Sequence, residues 1–162
     1  MVVSRWGQPR ATTDSDLSAS APYGEEDRVV DVLLRRFRPR RADARRFAID
    51  HRVLLLVSSA GVAIDVALAA FPFEIEAIGR ATPWRLDQGV ELNTCSAEHL
   101  LVYKLVAARP LDLVDVEGIV RRQGSRLDVG LVRRWGREFA ELKEDPDLLR
   151  PFEEILRQFG IG

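Results

Sequence analysis

Two aspartates separated by a single residue occupy a segment with the character of a β-strand. Asp14 and Asp16 lie in the run Thr-Thr-Asp-Ser-Asp-Leu, and the segment 10–19 follows Pro9, which disfavours a helix there. Side chains two residues apart in a strand point to the same face of a sheet, so both carboxylates would face one side. Two neighbouring negative charges repel each other unless a cation lies between them, and the pair therefore indicates a cation site.

A third aspartate, Asp65, interrupts the apolar run at residues 62–69. Burial of that carboxylate without a partner would cost several kcal/mol or would raise its pKa strongly. A divalent ion would relieve this cost, and Mg²⁺ or Mn²⁺ prefers carboxylate and water oxygens and leaves positions open for phosphate. With two such ions about 3.5 to 4 Å apart, one would activate an attacking hydroxyl and the other would stabilise a leaving oxygen. Asp14, Asp16 and Asp65 are thus the predicted metal ligands and catalytic residues.

Each of these features also has an ordinary structural interpretation. An Asp-x-Asp pair often marks a polar strand edge, and a single aspartate in a strand is often satisfied by an arginine. Residues 35–46 contain seven arginines and one aspartate. This basic segment is either a solvated loop or a basic rim of the kind that an RNA substrate would need.

The elements expected to position these residues form an α+β chain. Residues 2–6 are predicted to be the end of a helix that Gly7 closes. Strands at 53–57 and 62–69 form a predicted hairpin, and Ser96 caps the first of four consecutive helices. The remaining predicted elements are an extended segment at 10–19, helices at 25–37 and 72–81, a strand at 90–94, and helices at 96–109, 112–124, 128–144 and 147–159. The predicted organisation is a mixed α/β core over residues 1–95 and a helical portion over 96–162 packed on that core.

Composition restricts the cellular setting. The chain has 162 residues, a formal net charge of −1 and one cysteine, Cys95. A lone cysteine allows no disulfide framework and fits a reducing compartment, so we expect a cytoplasmic protein. No apolar run approaches the roughly 18 residues of a membrane span, and the first residues are too polar for a signal peptide, so no membrane association is expected.

Two segments resemble a known group of enzymes. Residues 4–17, SRWGQPRATTDSDL, look like the WG-x-PR-x-T-x-D-x-DL segment of the AbiEii-toxin-like and minimal nucleotidyltransferases, which belong to the superfamily related to DNA polymerase β. Residues 96–116, SAEHLLVYKLVAARPLDLVDV, are similar to the S-x-E-x-L-x-x-x-K-x-x-A-x-R-x-x-D-x-x-D helix pair of that group. The resemblance implies a nucleotidyltransferase fold, with a small mixed β-sheet flanked by helices and a C-terminal helical portion.

The resemblance also implies an activity and its residues. It implies that a nucleoside monophosphate moves from an NTP to a hydroxyl of an RNA, a protein or a small molecule, and that Lys104 approaches the phosphates with Asp112 and Asp115 in support. Further nucleotide-binding positions are expected at Arg10, Ser4 and Arg109. Read from the residues alone, the Lys104 stem could simply cover the core, and the other charges on these two helices could be a helix cap and a salt-bridge group.

The related families have a glycine pair that does not occur in the first residues of this sequence. In those families Gly-Gly or Gly-Ser opens the helix before the Asp-x-Asp strand and binds phosphate through backbone N–H groups. Here the sequence begins Met1-Val2-Val3, just after that position. Either the start site lies further upstream than Met1, or the alternative expectation holds: a nucleotidyltransferase-fold protein with impaired catalysis that binds a partner, such as an antitoxin in a toxin–antitoxin pair. A homodimer that covers exposed apolar surface is also expected.

Overall fold

The structure is a computed structural model that describes residues 2–8, 14–86 and 89–162, with Asp14 described by its backbone alone. It has an α+β fold, as the sequence predicts, with a four-stranded mixed sheet and a two-stranded sheet. In chain order the elements are α1 (Val2–Trp6), β1 (Asp14–Ser20), α2 (Glu26–Leu34), β2 (Arg38–Pro39), α3 (Ala44–His51), β3 (Val53–Val57), β4 (Ala63–Ala69), α4 (Pro72–Gly79), β5 (Thr82–Arg85), β6 (Glu91–Thr94), α5 (Ala97–Ala107), α6 (Pro110–Gln123), α7 (Val129–Leu142) and α8 (Arg150–Phe159).

Two compact units divide the chain. The sheet unit comprises Ala11–Gly79, and the helical unit comprises Met1–Arg10 together with Arg80–Gly162. This division differs from the boundary expected at residue 95. The reason is that α1 packs on α5 and α6, and that its Trp6 indole donates a 2.8 Å hydrogen bond to the Cys95 carbonyl, so the N-terminal helix and residues 80–95 belong with the C-terminal helices.

The sheet of the sheet unit has the strand order β1-β4-β3-β2. Strand β1 runs parallel to β4, whereas β3 is antiparallel to both β4 and β2. The predicted hairpin is therefore confirmed as β3 and β4, joined through the turn at residues 58–62. Parallel neighbours need a crossover connection, and here the chain between β1 and β4 supplies α2, α3 and the two other strands.

One face of this sheet forms the core of the sheet unit. The buried strand residues alternate along β3 and β4 and pack against residues of α2 and α3, as the period of two requires. The buried members of this cluster are Ala21, Val30, Ala44, Ala48, Leu54, Leu56, Ile64, Val66 and Leu68. The opposite face carries Asp65 and its half-buried neighbours, so the apolar run in β4 alternates between half-buried and buried residues as far as Leu68.

Arg52 joins several parts of the sheet unit. It follows α3 with a left-handed backbone (φ 55°), and its guanidinium donates to the carbonyls of Ala21 and Leu68. The same group donates a 2.6 Å hydrogen bond to the Glu26 carboxylate and lies over the Tyr23 ring. Backbone hydrogen bonds at Glu26, together with this guanidinium, hold the pKa of that carboxyl below its usual value. One side chain thus ties the ends of β1 and β4 to α2.

The helical unit follows the predicted boundaries closely. The Ser96 hydroxyl accepts from the His99 N–H and so caps α5, and Gly124 (φ 56°) ends α6. The strand that was predicted near residue 90 pairs with β5, a strand that the sequence did not predict. Within the described part of the chain, no helix is both long enough and apolar enough to cross a bilayer.

Candidate functional site

A row of four residues crosses the sheet at one level. In the strand register, Asp16 on β1 stands beside Asp65 on β4, and Asp65 stands opposite Leu55 on β3. The Arg40 N–H donates a 3.0 Å hydrogen bond to the Leu55 carbonyl, so Arg40 continues the ladder past β2 at the same level. Adjacent strands lie about 4.8 Å apart, which makes Asp16 and Asp65 close neighbours on one face. We call Asp16, Asp65, Leu55 and Arg40 the strand row.

Asp65 already has a cationic partner in the strand row. The Arg40 guanidinium donates to its carboxylate, and the two side chains are 35% and 40% exposed, respectively. The interpretation of Asp65 as a buried charge that needs a metal is therefore wrong in its premise, because the carboxylate is half-exposed and paired. The simpler interpretation, in which an arginine satisfies a single strand aspartate, describes the structure as it stands.

Asp16 differs from Asp65 in having no such partner. It is exposed, and among the described residues none forms an ion pair or a hydrogen bond with its carboxylate. The strand row therefore holds two carboxylates in register and one guanidinium, which leaves a net negative charge. Carboxylate oxygens on one face suit a hard divalent cation. In the structure as it stands, the Arg40 guanidinium is the cationic group beside Asp65. The donor chemistry fits Mg²⁺ or Mn²⁺.

The other predicted ligands fall partly outside the described residues. Asp14 pairs with Ala63 in the register of β1 and β4, two residues before Asp16, and its side chain is not part of the description. Arg10 lies outside the described residues altogether. Among the side chains that are described, no three His, Cys, Asp or Glu groups converge as a metal cluster. Ser4 belongs to α1, where its carbonyl accepts from Arg122.

A buried charge network links α5 to α6 in the helical unit. The Lys104 ammonium lies 2.7 Å from an Asp112 carboxylate oxygen and 2.9 Å from an Asp115 carboxylate oxygen. The lysine side chain is 13% exposed, and the two carboxylates are 2% and 5% exposed. The structure thus brings together the three residues that the sequence grouped, as a salt-bridge network.

Arg109 completes this network from the surface. Its side chain is 75% exposed and donates a 2.6 Å hydrogen bond to Asp112, whose carboxylate also accepts from the Arg109 N–H at the start of α6. Burial alone would raise the pKa of the Asp112 carboxyl, but the hydrogen bonds from Arg109 and Lys104 outweigh it and hold the pKa below its ordinary value. The helix-cap and salt-bridge interpretation of these residues therefore describes their contacts.

The basic segment 35–46 is not one loop, because it contains β2 and the start of α3. Most of its arginines are paired: Arg40 with Asp65, Arg41 with Asp43, Arg45 with Asp27 and Asp31, and Arg46 with Asp50. Arg35, Arg36 and Arg38 are exposed and have no carboxylate partner among the described residues. We call these three the unpaired arginines.

Sequence reasoning did not identify Arg40 as the partner of Asp65. The sequence showed both an arginine-rich segment and a strand aspartate that needs a cation, but it did not show that the two are partners. The missing link was β2, whose two residues are too short to give a strand pattern. An Arg-Pro-Arg sequence typical of an edge strand was the available signal, since charge and proline commonly protect sheet edges.

No known family model matches the chain, and no curated protein matches it. The resemblance to nucleotidyltransferases accordingly rests on the two sequence segments quoted above.

Proposed function

We propose that the chain is a metal-dependent nucleotidyltransferase that moves a nucleoside monophosphate from an NTP to an acceptor hydroxyl and releases pyrophosphate. The observation that carries the proposal is the register of Asp16 with Asp65 on neighbouring parallel strands. Two like charges at that spacing repel each other, and the single guanidinium in the strand row does not balance them. A Mg²⁺ or Mn²⁺ ion held by Asp14, Asp16 and Asp65 would neutralise this charge and, when bound, would polarise the phosphate under attack.

The residues of the chain have separate tasks in this reaction. Asp14, Asp16 and Asp65 would hold the ion, and Asp65 would also face the acceptor. The acceptor oxygen forms a bond to the α-phosphorus while the bond from that phosphorus to the pyrophosphate oxygen breaks, and the Asp65 carboxylate takes up the hydroxyl proton.

Lys104 is the proposed phosphate partner. An ammonium has three N–H donors, and Asp112 and Asp115 accept from two directions, which leaves one donor for a phosphate oxygen. The two carboxylates fix the ammonium in one position and also neutralise its charge, so this role is supported by the resemblance and not by the charge of the network. Arg109, with its exposed side chain, pairs with Asp112 and brings the formal charge of the four-residue network to zero.

Calorimetric titration of Mn²⁺ and then of each NTP tests the proposal. We expect the wild-type chain to bind NTP only in the presence of Mn²⁺. Asp16→Asn should weaken that binding at least about tenfold, since loss even of a group that supports a metal ligand costs this much. Asp50→Asn is the matched control, because Asp50 is an exposed carboxylate of the same unit that pairs with Arg46. Absence of Mn²⁺-dependent NTP binding in the wild type would refute the proposal.

A second candidate function is a non-catalytic protein that binds a partner chain, such as an antitoxin. The ion pairs favour it, because Asp65 and Lys104 are both already satisfied within the chain. The same titrations discriminate between the two functions. A folded wild-type chain that binds neither Mn²⁺ nor NTP supports the partner-binding function, whereas Mn²⁺-dependent NTP binding that requires Asp16 supports the enzyme.

A further inference from the structure

Arg40 occupies a distinctive place among the arginines of the sheet unit. The arginines that follow it, Arg41, Arg45 and Arg46, pair with carboxylates of α2, α3 or the loop before α3. Arg40 instead reaches from the edge of the sheet across the level of Leu55 to Asp65 on β4. It is thus the arginine of segment 35–46 whose partner is a predicted metal ligand.

The backbone of Arg40 is hydrogen-bonded into the sheet, whereas its side chain forms a half-exposed ion pair. The Arg40 N–H is anchored on the Leu55 carbonyl at 3.0 Å, which keeps the residue at the level of the strand row. The guanidinium, in contrast, is part of a half-exposed ion pair, and exposed ion pairs are weak and exchange readily with water. Release from Asp65 therefore requires a change of side-chain rotamer and leaves the sheet intact.

We propose that Arg40 is a built-in competitor for the divalent cation: it holds Asp65 in the free protein and must leave that carboxylate when the cation binds. This inference rests on the proposed metal site. A guanidinium and a divalent ion on one carboxylate repel each other, so the binding of either one weakens the binding of the other. The measured cation affinity is then the affinity of the open carboxylates reduced by the fraction of chains in which Arg40 is bound to Asp65.

The size of the effect follows from the exposure of the pair. An exposed ion pair of this kind lowers the population of free Asp65 by a factor of roughly 1.5 to 5. The charge of the displaced guanidinium, still near the strand row, weakens cation binding further at low salt. Removal of Arg40 should therefore tighten Mn²⁺ binding by about 3- to 10-fold.

The test is a Mn²⁺ titration of the full chain, with free Mn²⁺ measured by electron paramagnetic resonance. Arg40→Met keeps the apolar stem and removes the guanidinium. Arg38→Met is the matched control, because Arg38 lies two residues away in the same short edge segment, carries the same charge and is one of the unpaired arginines. We expect Arg40→Met to tighten Mn²⁺ binding by about 3- to 10-fold and Arg38→Met to change it less than about twofold.

A third variant identifies the carboxylate through which Arg40 acts. In an Asp65→Asn background Arg40 has no carboxylate to compete for, so adding Arg40→Met should change the remaining Mn²⁺ affinity by no more than the roughly twofold expected from loss of a nearby charge. Far-UV circular dichroism of each variant establishes that it is folded. Equal effects of Arg40→Met and Arg38→Met, weaker binding by Arg40→Met, or an undiminished gain in the Asp65→Asn background would each overturn the proposal.

Failure of this inference is distinguishable from failure of the proposed function. If neither the wild type nor Arg40→Met binds Mn²⁺, the metal site itself is absent and the competitor role falls with it. If the wild type binds Mn²⁺, Asp65→Asn weakens that binding and Arg40→Met behaves like Arg38→Met, the metal site stands and only the role of Arg40 is refuted.

Discussion

Replacement of Lys104 by methionine should destabilise the chain severely. Methionine keeps the apolar stem and removes the ammonium that lies 2.7 Å from Asp112 and 2.9 Å from Asp115. The two carboxylates, 2% and 5% exposed, would then remain buried without the ammonium that they share. Removal of one partner from a buried ion group costs about 3–5 kcal/mol. A domain commonly has about 5–15 kcal/mol of stability in total, so the loss would be a large part of it.

Urea unfolding, followed by circular dichroism, measures this loss. With a slope of about 2 kcal/mol per molar urea, the transition midpoint of Lys104→Met should fall by roughly 1.5 to 2.5 M. Lys143→Met is the control, because Lys143 is the other lysine of the chain, is exposed and donates to the Val106 carbonyl from the surface. We expect that control to change the free energy of unfolding by less than about 1 kcal/mol.

The dependence of this effect on pH has a defined sign. The pKa of the Asp112 carboxyl is lowered in the folded wild type, so its contribution is complete above about pH 4 and is lost as the pH falls through the folded pKa. In Lys104→Met, burial is opposed by Arg109 alone, and the pKa of that carboxyl rises. As the pH falls, Asp112 is therefore protonated earlier in the variant than in the wild type, which removes the unfavourable buried charge from the variant. The difference in the free energy of unfolding between the two proteins should be smaller at pH 4.5 than at pH 7. A loss below 1 kcal/mol at pH 7, or a gap that widens towards acid, would refute this reasoning.

Three further predictions concern other parts of the chain. Arg52→Ala should lower the free energy of unfolding by about 2–4 kcal/mol in urea titrations, since two strand-end carbonyls and one carboxylate lose a charged donor. Gly136→Ala should cost about 1–3 kcal/mol in thermal melting, because a Cβ would lie 2.4 Å from Leu149 Cδ2, whereas Gly79→Ala, with open space around it, should be nearly neutral. Burial raises the pKa of the Cys95 thiol to about 11, so at pH 8 its alkylation should be on the order of a hundred times slower than that of a free cysteine, and faster alkylation of the folded chain would contradict that burial.

Helix boundaries were predictable because their signals lie within a few residues. Ser96 caps α5 through the N–H of His99, and Gly124 ends α6 with a positive φ, as their positions in the sequence indicate. Helix α3 was missed because its buried residues, Ala44 and Ala48, stand among arginines that suggest a solvated loop. Strand β5 was missed because Pro83 argues against a strand unless the strand lies at a sheet edge, as it does in this two-stranded sheet.

The candidate site was predictable in its composition but not in its pairing. The period of two was enough to expect Asp14 and Asp16 on one face, and the resemblance implied Asp65 as the third carboxylate. The partner of Asp65 depends on the register of β2, which no local pattern sets, because Arg40 is distant in sequence and reaches Asp65 only through the ladder to β3. The apolar neighbours Ile64 and Val66 suggested that Asp65 is buried, but they point to the opposite face of the sheet.

The parallel pairing of β1 with β4 also orders the events of folding. Strands β3 and β4 are connected by the turn at residues 58–62 and can pair within microseconds, as hairpins do. Strand β1 must first close a far longer loop, so it joins after the hairpin has formed, and as an edge strand it detaches more readily in local opening than the central strand β4. Amide protons of β1 should therefore exchange faster than those of β4. Each such opening carries Asp16 away while Asp65 and Arg40 remain on the sheet, so the two carboxylates are neighbours only for as long as the edge strand is closed.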